Sequence, residues 1–240
     1  MYAADEKMAR MTSEMTAGTG RSVREEMLRA AVGLLNDHGP DALQTRKVAG
    51  AAGTSTMAVY THFGGMQPLI AAVAEEGLRQ FGAALTVPQT ADPVADLMAV
   101  RAAYRRYAIE RPHMYRLMFG STSAHGINAP APNVLTQTVA EIERRYPSFA
   151  HVVRGVHRCM LAGRFRAAGS ADDDATVVAT AAQFWTMIHG FVMLELAGFF
   201  GAAGAAVEPV LTTMTTNLLV ALGDSPDQIQ RSQQSASSAI

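Results

Sequence analysis

Cysteine and net charge are both scarce in this sequence, and each deficit excludes a class of protein. Its 240 residues include one cysteine, Cys159, which excludes an intrachain disulfide framework and fits a reducing cytoplasm. His157 lies two positions from Cys159, and residues two apart on a helix do not face each other. We therefore predict a buried thiol rather than a catalytic pair. The formal net charge of −1 provides no global basic surplus.

Charged residues are also scarce in the range 175–207, where Glu195 is the only one. This range is long enough to span a bilayer. His189, Gln183 and several glycines interrupt it, and no basic residues flank it, so we expect buried helices and no membrane segment. Residues 1–20 contain no apolar stretch of signal-peptide length and are expected to form a flexible arm.

The most informative pattern lies between residues 45 and 63. Val48 and Ala49 give its first part an apolar face, and Gly53 follows where a tight turn favours a left-handed backbone conformation. Ser55 can cap a second helix through its hydroxyl. The spacing therefore predicts two short helices joined by a tight turn.

The second helix of this pattern would bury Val59 and Phe63, which recur four residues apart. The side chains that would point outward are Thr56, Met57, Tyr60, Thr61 and His62. A short helix with this outer face is suited to the major groove of DNA. The alternative is a generic helical bundle with a chance turn, but several independent signals around the pattern argue against it.

Those signals are the start and stop residues of the neighbouring helices. Ser22 and Glu25 form a capping box ahead of an amphipathic helix, and Gly39-Pro40 ends that helix. Gly64-Gly65 breaks the chain after the second short helix, and apolar spacing predicts a further helix from residue 69 to 85.

The order of these elements is similar to the N-terminal domain of TetR-family transcriptional regulators over residues 20–82. The resemblance implies an all-α fold and DNA binding. The implied DNA-binding residues are Thr45, Arg46, Lys47, Ser55, Thr56, Met57, Tyr60, Thr61 and His62. Met66 stands where the family usually carries a phosphate-binding lysine, and Met57 is bulky for a position that is usually small. These departures leave the operator sequence open.

Two later segments resemble the WHG type of TetR-family C-terminal domain. Residues 104–119, YRRYAIERPHMYRLMF, are similar to its Y-x-x-F-A-x-x-x-P-x-x-Y-x-x-M-F segment, and residues 185–195, WTMIHGFVMLE, carry its Trp…His-Gly signature. The resemblance implies a TetR-like helical-bundle domain for ligand binding and dimerisation. The last two helices of each subunit would pack together across a two-fold axis.

The expected helices of this second domain follow from start and stop signals. Asp92-Pro93 begins one helix, and the Gly-, Ser-, Asn- and Pro-rich residues 120–132 indicate a loop. Further helices are predicted at 133–145, 148–168, 172–199 and 206–222. We interpret the run Asp172-Asp173-Asp174 as a helix cap rather than a metal site, because acidic residues there complement the helix dipole.

Aromatic and methionine side chains of this domain form the candidate ligand pocket, since such a lining suits an apolar small molecule. The predicted pocket residues are Tyr104, Tyr107, Met114, Met118, Phe119, Phe184, Trp185, Ile188 and His189. The His189 imidazole or a tyrosine hydroxyl would orient the ligand. The alternative is that most of these side chains fill the core, with Trp185 and His189 as a packing pair.

These patterns divide the chain into five regions. They are a flexible arm at 1–20, a three-helix DNA-binding domain at 21–66, a connecting helix at 67–86, a ligand-binding and dimerisation domain at 92–223, and a disordered, Ser- and Gln-rich tail at 224–240. The chain shows no nucleophile with a plausible base, phosphate-binding loop or metal cluster, so we expect neither enzymatic activity nor a cofactor.

The predicted function is that of a homodimeric repressor on a pseudo-palindromic, double-stranded operator, from which a small and largely apolar effector releases it. Two other functions stay open at this point. One is an activator of the same fold, and the other is a small-molecule-binding or interaction protein that has lost DNA binding. The sequence gives neither the target genes nor the identity of the effector.

Overall fold

The computed structural model describes residues 22–119 and 133–238. Within these two ranges the ordered elements are helices and turns, without a β-strand, which confirms the predicted all-α fold. The predicted arm at 1–20 and the predicted loop at 120–132 lie outside the described residues. The chain divides into two compact units, one ending at Val73 and the other beginning at Ala74.

The described residues of the first unit, 22–73, form three helices and the start of a fourth. Its elements are α1 (Val23–His38), a 3₁₀ turn (Pro40–Ala42), α2 (Thr45–Ala51), α3 (Thr56–Phe63) and the beginning of α4 (Met66–Ala84). The predicted capping box begins α1: the Glu25 N–H donates to Ser22 Oγ at 3.3 Å, and the Ser22 N–H donates to Glu25 Oε2 at 3.0 Å. As predicted, α1 ends at Gly39, which takes a φ of 76°. Its buried face contacts α2 and α3.

The second unit contains the rest of α4 and seven further α-helices in the described residues. They are α5 (Pro93–Glu110), α6 (Pro112–Phe119), α7 (Val139–Arg145), α8 (Pro147–Leu161), α9 (Asp174–Leu196), α10 (Thr213–Ala221) and α11 (Pro226–Ser238). A 3₁₀ turn at Val134–Thr136 and a π-helical segment at Val207–Thr212 stand where the sequence predicted α-helical turns. α5 packs against α8, α9 and α11, which encloses the hydrophobic core of this unit.

Side chains of α5 explain why this helix lies at the centre of the unit. It begins as predicted, because Asp92 Oδ1 accepts the Val94 N–H at 3.0 Å and the Ala95 N–H at 3.1 Å. Apolar residues then occupy most of its circumference and are buried by helices on several sides.

The acidic run before α9 acts as a cap, but the helix begins at Asp174 rather than at Asp172. Asp173 is the N-cap, and its carboxylate accepts the Ala175 N–H at 3.2 Å. Asp174 Oδ2 accepts the N–H of Val139 on α7 at 3.1 Å. In the described part of the chain, no three His, Cys, Asp or Glu side chains are grouped to hold a metal ion.

Two helices end earlier than predicted because a glycine takes a left-handed conformation after each. α8 ends at Leu161 rather than at residue 168, and Gly163 follows with φ 67°. α9 ends at Leu196 rather than at residue 199, and Gly198 follows with φ 76°. Cys159 on α8 is fully buried, as predicted, and burial raises the pKa of its thiol.

Pro226–Ser238 form the helix α11, so the prediction of a disordered tail at 224–240 is wrong for these residues. Ile229, Ser232 and Ala236 on α11 are buried, and α11 packs against α5. These three residues recur three and four positions apart and form one narrow stripe. The Ser- and Gln-rich composition around the stripe concealed it, because polar residues far outnumber apolar ones in this helix.

Among the described helices, α9 has the length and apolar composition of a membrane span. The core helix of a water-soluble protein meets the same criteria. α9 contacts α5, α7 and α8, and 44% of its most apolar stretch is buried inside the fold. The apolar side chains on one face of α9 therefore pack against other helices of the protein, and the opposite face is exposed.

Candidate DNA interface and ligand cavity

The α2–α3 segment forms the helix-turn-helix that the sequence predicts. Val48 and Ala49 on α2 are buried, and Val59 on α3 is fully buried. Between the helices, Gly53 takes a φ of 63°, and the Thr54 N–H donates to the Ala49 carbonyl at 2.9 Å. The glycine allows the chain to reverse within a few residues without strain.

The predicted DNA-binding side chains lie on the surface of this motif. Arg46 and Lys47 are exposed in the first turn of α2, and Thr45 is half-buried. The exposed residues at and after the start of α3 are Ser55, Thr56, Met57, Tyr60, Thr61 and His62. Met57 and Tyr60 are 68% and 57% exposed, which is high for large apolar and aromatic side chains. The structure therefore gives α3 one buried edge at Val59 and a broad outer face.

The structure shows how the hydroxyl groups of Ser55 and Thr61 are hydrogen-bonded. Ser55 occupies the N-cap position of α3 with an extended backbone, but its side chain makes no capping hydrogen bond, so that part of the prediction is wrong. The Thr61 hydroxyl donates to the Met57 carbonyl at 3.1 Å, which commits its proton to its own helix. The Ser55 hydroxyl therefore makes no hydrogen bond to the backbone at the start of α3.

Basic charge in the first unit is local. Residues 22–66 contain four Lys or Arg and four Asp or Glu, so the favourable field for a polyanion depends on where the basic groups lie. The Arg24 guanidinium carbon lies 4.7 Å from the Phe63 ring centroid, which ties α1 to the end of α3 by a cation–π contact. Met66, at the start of α4, is half-buried.

A cavity of about 20 Å³ lies within the second unit between α5, α8, α9 and α10. Of the predicted pocket residues, Tyr104, Phe184 and Ile188 line it. Its other lining residues include Met98, Met187 and two polar residues outside the predicted set, Arg101 and Thr215. The volume is close to that of one water molecule, so a larger ligand requires the lining to rearrange.

The predicted pocket residues with aromatic rings that do not line this cavity, together with Tyr104, belong to an aromatic cluster centred on Phe81. The Phe81 ring centroid lies 4.9 Å from that of Tyr104, 5.0 Å from Tyr107, 5.7 Å from Phe119 and 6.3 Å from Trp185. Most of these contacts are edge-on, the geometry that aromatic quadrupoles favour. Phe81 belongs to α4, and its ring partners lie more than twenty residues away in the sequence.

Met114 and Met118 on α6 fill space against α4. A Cβ atom placed on Gly77 would lie 2.4 Å from Met114 Sδ and 3.0 Å from Met118 Sδ. The Tyr107 hydroxyl donates to the Gly77 carbonyl at 3.3 Å. These contacts favour the alternative interpretation for Met114, Met118 and Tyr107, in which they belong to the packed core.

Three polar groups meet inside the aromatic cluster. The Tyr104 and Tyr115 hydroxyl oxygens are 2.8 Å apart, and His189 Nδ1 lies 2.7 Å from the Tyr115 oxygen and 3.2 Å from the Tyr104 oxygen. Burial lowers the pKa of the His189 imidazole and raises the pKa of both tyrosine hydroxyls. The group is therefore neutral at physiological pH, and its members are already hydrogen-bonded to one another.

The sequence matches family models in both parts of the chain. Residues 27–73 match a model of tetR-family bacterial regulatory proteins, and residues 97–218 match a model of the tetracyclin repressor-like C-terminal domain. The second match alone covers 122 of the 240 residues. No protein of curated function matches the sequence.

Solved structures share this fold. A protein of unknown function from Rhodococcus sp. RHA1 has a TM-score of 0.62 at 28% identity, over 85% of this chain and 97% of its own. A TetR-family transcriptional regulator from Streptomyces coelicolor has a TM-score of 0.60 at 16% identity, over 90% and 89%. BioQ bound to its natural double-stranded DNA operator has a TM-score of 0.53 at 20% identity, over 83% and 99%. With the helix-turn-helix in α2–α3 and family matches in both units, the chain belongs to the TetR family of DNA-binding transcriptional regulators.

Proposed function

We propose that this regulator is a homodimeric repressor that leaves its operator when a small, largely apolar molecule binds the C-terminal domain. The observation that carries the proposal is the outer face of α3, where Met57 and Tyr60 are exposed opposite the buried Val59. This face combines a thioether, a phenol and small hydroxyls. Such groups suit the base edges and thymine methyl groups of a major groove.

The side chains of the motif differ in length and chemistry, so we assign them to different parts of the DNA. We assign Thr45, Tyr60 and His62 to phosphates, with Lys47 adding favourable charge, and Arg46, Thr56 and Met57 to base edges. Thr61, whose proton is committed to the Met57 carbonyl, would accept a hydrogen bond rather than donate one. The DNA-binding domain would then be 21–66, the connecting helix 67–86 and the effector domain 92–223.

Exposed faces of α9 and α10 support a dimer through these two helices. The exposed residues of α9 recur three or four positions apart and are mostly small: Ala175, Ala179, Gln183, Thr186, Gly190 and Leu194. On α10, Met214 and Val220 are exposed although apolar. Small side chains allow two helices to approach closely, so two copies of this face would form a four-helix bundle across a two-fold axis.

A dimer would also compensate for the weak positive charge of a single DNA-binding domain, because two domains would bind the same operator. Two recognition helices would enter major grooves about one helical turn apart, or a multiple of it, on a pseudo-palindromic site. An effector would favour a conformation in which the spacing is wrong, by an amount limited by its differential affinity for the two conformations. The structure reported for BioQ with its operator supports double-stranded DNA as the partner. The expected location is the cytoplasm, where that DNA lies.

The experiment that tests this function is selection of bound DNA from a random library by the purified protein, read by sequencing. Enrichment of a palindrome is the expected result. Absence of enrichment at low salt would instead favour a small-molecule-binding protein that has lost DNA binding, a function that the charge balance and Met66 make worth testing. Transcription from the selected operator with and without the protein then distinguishes a repressor from an activator.

A further inference from the structure

Arg101 is one of the residues on α5 that line the cavity of the second unit, and its guanidinium group is incompletely hydrogen-bonded. Its Nη1 donates to Thr215 Oγ1 at 2.6 Å and lies 3.5 Å from the Leu211 carbonyl oxygen. Its Nε is buried and has no hydrogen-bond partner within the described residues. Glu208 acts on it only at longer range, without an ion pair in the described part of the chain.

The unused edge of Arg101 is the one that other arginines of this chain use to bind carboxylates. Arg105 binds Glu195 through Nε and Nη2 at 2.8 and 2.7 Å. Arg164 binds Asp224 through the same two atoms, both at 2.7 Å. A carboxylate fits this edge because its two oxygens match the parallel N–H bonds. On Arg101, the bond to Thr215 occupies the other side of the guanidinium and leaves this edge without a hydrogen-bond partner among the described residues.

The surroundings of Arg101 are otherwise apolar. The cavity walls beside it include Val94, Leu97, Phe184 and Ile188. An unpaired charged donor in such a place is unfavourable, and burial lowers the pKa of the Arg101 guanidinium. An anion bound at this edge would remove that penalty. Met98 and Met187 also line the cavity, and their flexible side chains allow it to enlarge around an apolar group.

We propose that this cavity binds a carboxylic acid with an apolar chain or ring. The carboxylate binds the Nε–Nη2 edge of Arg101, and the apolar part enters the space between α5, α9 and α10. A role for this acid as the effector rests on the proposed function.

Hydrogen bonds connect Arg101 to α10, so ligand binding at Arg101 could affect the position of that helix. Thr215 Oγ1 accepts from Arg101 and donates to the Leu211 carbonyl at 2.7 Å, within the region where the π-helical segment joins α10. A carboxylate bound to Arg101 would neutralise the positive charge of the guanidinium and so weaken its hydrogen bond to Thr215 Oγ1. Ligand binding would therefore act on the helix that is proposed to pair with the second subunit.

The test compares two probes that differ in charge, octanoate and 1-octanol, on the full-length wild-type protein. Trp185 is the only tryptophan in the sequence and follows Phe184 of the cavity wall, so its fluorescence reports on this region. Calorimetry gives the affinities. We expect octanoate to bind at least about tenfold more tightly than 1-octanol, since a hydrogen-bonded ion pair has roughly that effect. Equal affinities, or no binding of octanoate, would overturn the proposal without any variant.

Two variants identify the residue responsible. Arg101→Met should lose about tenfold or more in octanoate affinity and leave 1-octanol binding unchanged, while Arg101→Lys should retain part of the preference. Arg106→Met is the matched control, because Arg106 is exposed on the same helix and does not line this cavity. A preference for octanoate that survives Arg101→Met would overturn the assignment.

Operator binding in the presence of the probes separates this inference from the proposed function. Octanoate that binds through Arg101 but leaves the operator complex intact would support the site and contradict a carboxylate effector. Release of the operator by a neutral apolar molecule, with equal potency on wild type and Arg101→Met, would support ligand-released repression. It would contradict the Arg101 site as its trigger.

Discussion

Arg105 on α5 and Glu195 near the end of α9 form a bidentate ion pair, with Nε–Oε2 at 2.8 Å and Nη2–Oε1 at 2.7 Å. The Glu195 side chain is 3% exposed, and its carboxylate also accepts the Gly204 N–H at 2.9 Å. One acidic side chain thus joins α5, α9 and the turn that leads into the π-helical segment. Arg101 lies one helical turn before Arg105, so this pair also fixes the part of α5 that lines the cavity.

Replacing Arg105 with methionine should destabilise the fold, because it leaves the Glu195 carboxylate buried without a cation. We expect a loss of about 3 kcal/mol in the free energy of unfolding, measured by chemical denaturation. Arg79→Met is the matched control. Arg79 binds Glu76 through the same two nitrogens at 2.7 and 2.6 Å, but its side chain is 70% exposed. Its loss should leave stability unchanged, and equal effects of both variants would contradict this explanation.

The same ion pair predicts an acid-sensitive contribution to stability. The hydrogen bonds from Arg105 are the main cause that lowers the pKa of Glu195 below its ordinary value of 4.5. A carboxyl group with a lower pKa in the folded protein stabilises it above the unfolded pKa. That contribution is lost as the pH falls through the folded pKa.

We therefore expect the unfolding free energy of the wild type to fall more steeply below about pH 5 than that of Glu195→Gln. Denaturation curves at several pH values measure both slopes. Parallel slopes would mean that Glu195 is not the titrating group.

The helix at the C-terminal end predicts a contribution to stability that a disordered tail would not make. Ile229 on α11 is 2% exposed and belongs to the main hydrophobic core, so Ile229→Ala should cost about 2–5 kcal/mol. The adjacent Gln230 is exposed, and Gln230→Ala should change stability by less than about 0.5 kcal/mol. Thermal and chemical unfolding measure both variants. Equally small effects would show that α11 does not pack against the core in solution.

Features that depend on near neighbours could be predicted from the sequence. The capping box at Ser22 and Glu25, the cap at Asp92 and the helix end at Gly39 each involve groups within four residues, and all three are present. α11 could not be predicted in this way. Its Ser232 hydroxyl donates to Asp92 Oδ2 at 2.6 Å, a contact across 140 residues that no local pattern contains.

The same distinction applies to the candidate sites. The buried Val59 and the exposed Met57 and Tyr60 follow from helical spacing alone. The cavity depends on Arg101 and Thr215, which are 114 residues apart and look like ordinary helix residues in the sequence. Aromatic composition indicated the right region of the second unit, but it could not separate side chains that line space from those that fill it.

Leu194 tests the proposed dimer. It is 45% exposed at the end of the small-residue face of α9, so Leu194→Glu should leave the subunit folded and shift the protein from dimer to monomer. Leu161→Glu is the control, because Leu161 is 65% exposed at the end of α8, outside the proposed interface. Light scattering after size-exclusion chromatography gives the mass of each variant. A dimer that persists in Leu194→Glu, or that is lost equally in both variants, would contradict pairing through this face.

Tyr60 tests the proposed DNA interface with little risk to the fold. Its side chain is exposed, so Tyr60→Ala should leave the unfolding free energy within about 0.5 kcal/mol of wild type. If its ring and hydroxyl contact the DNA backbone, operator affinity should fall at least about tenfold, measured by fluorescence anisotropy on the selected operator.

Tyr60→Phe separates the two parts of this side chain, because it removes only the hydroxyl that would donate to a phosphate. An intermediate affinity is expected, with the salt dependence unchanged because no charge is removed. Lys47→Ala should instead reduce the slope of log affinity against log salt by about one unit, as loss of a cationic phosphate contact does. If Tyr60→Ala binds the operator as tightly as wild type, the outer face of α3 is not the reading surface, and the assignment of α3 as the recognition helix fails.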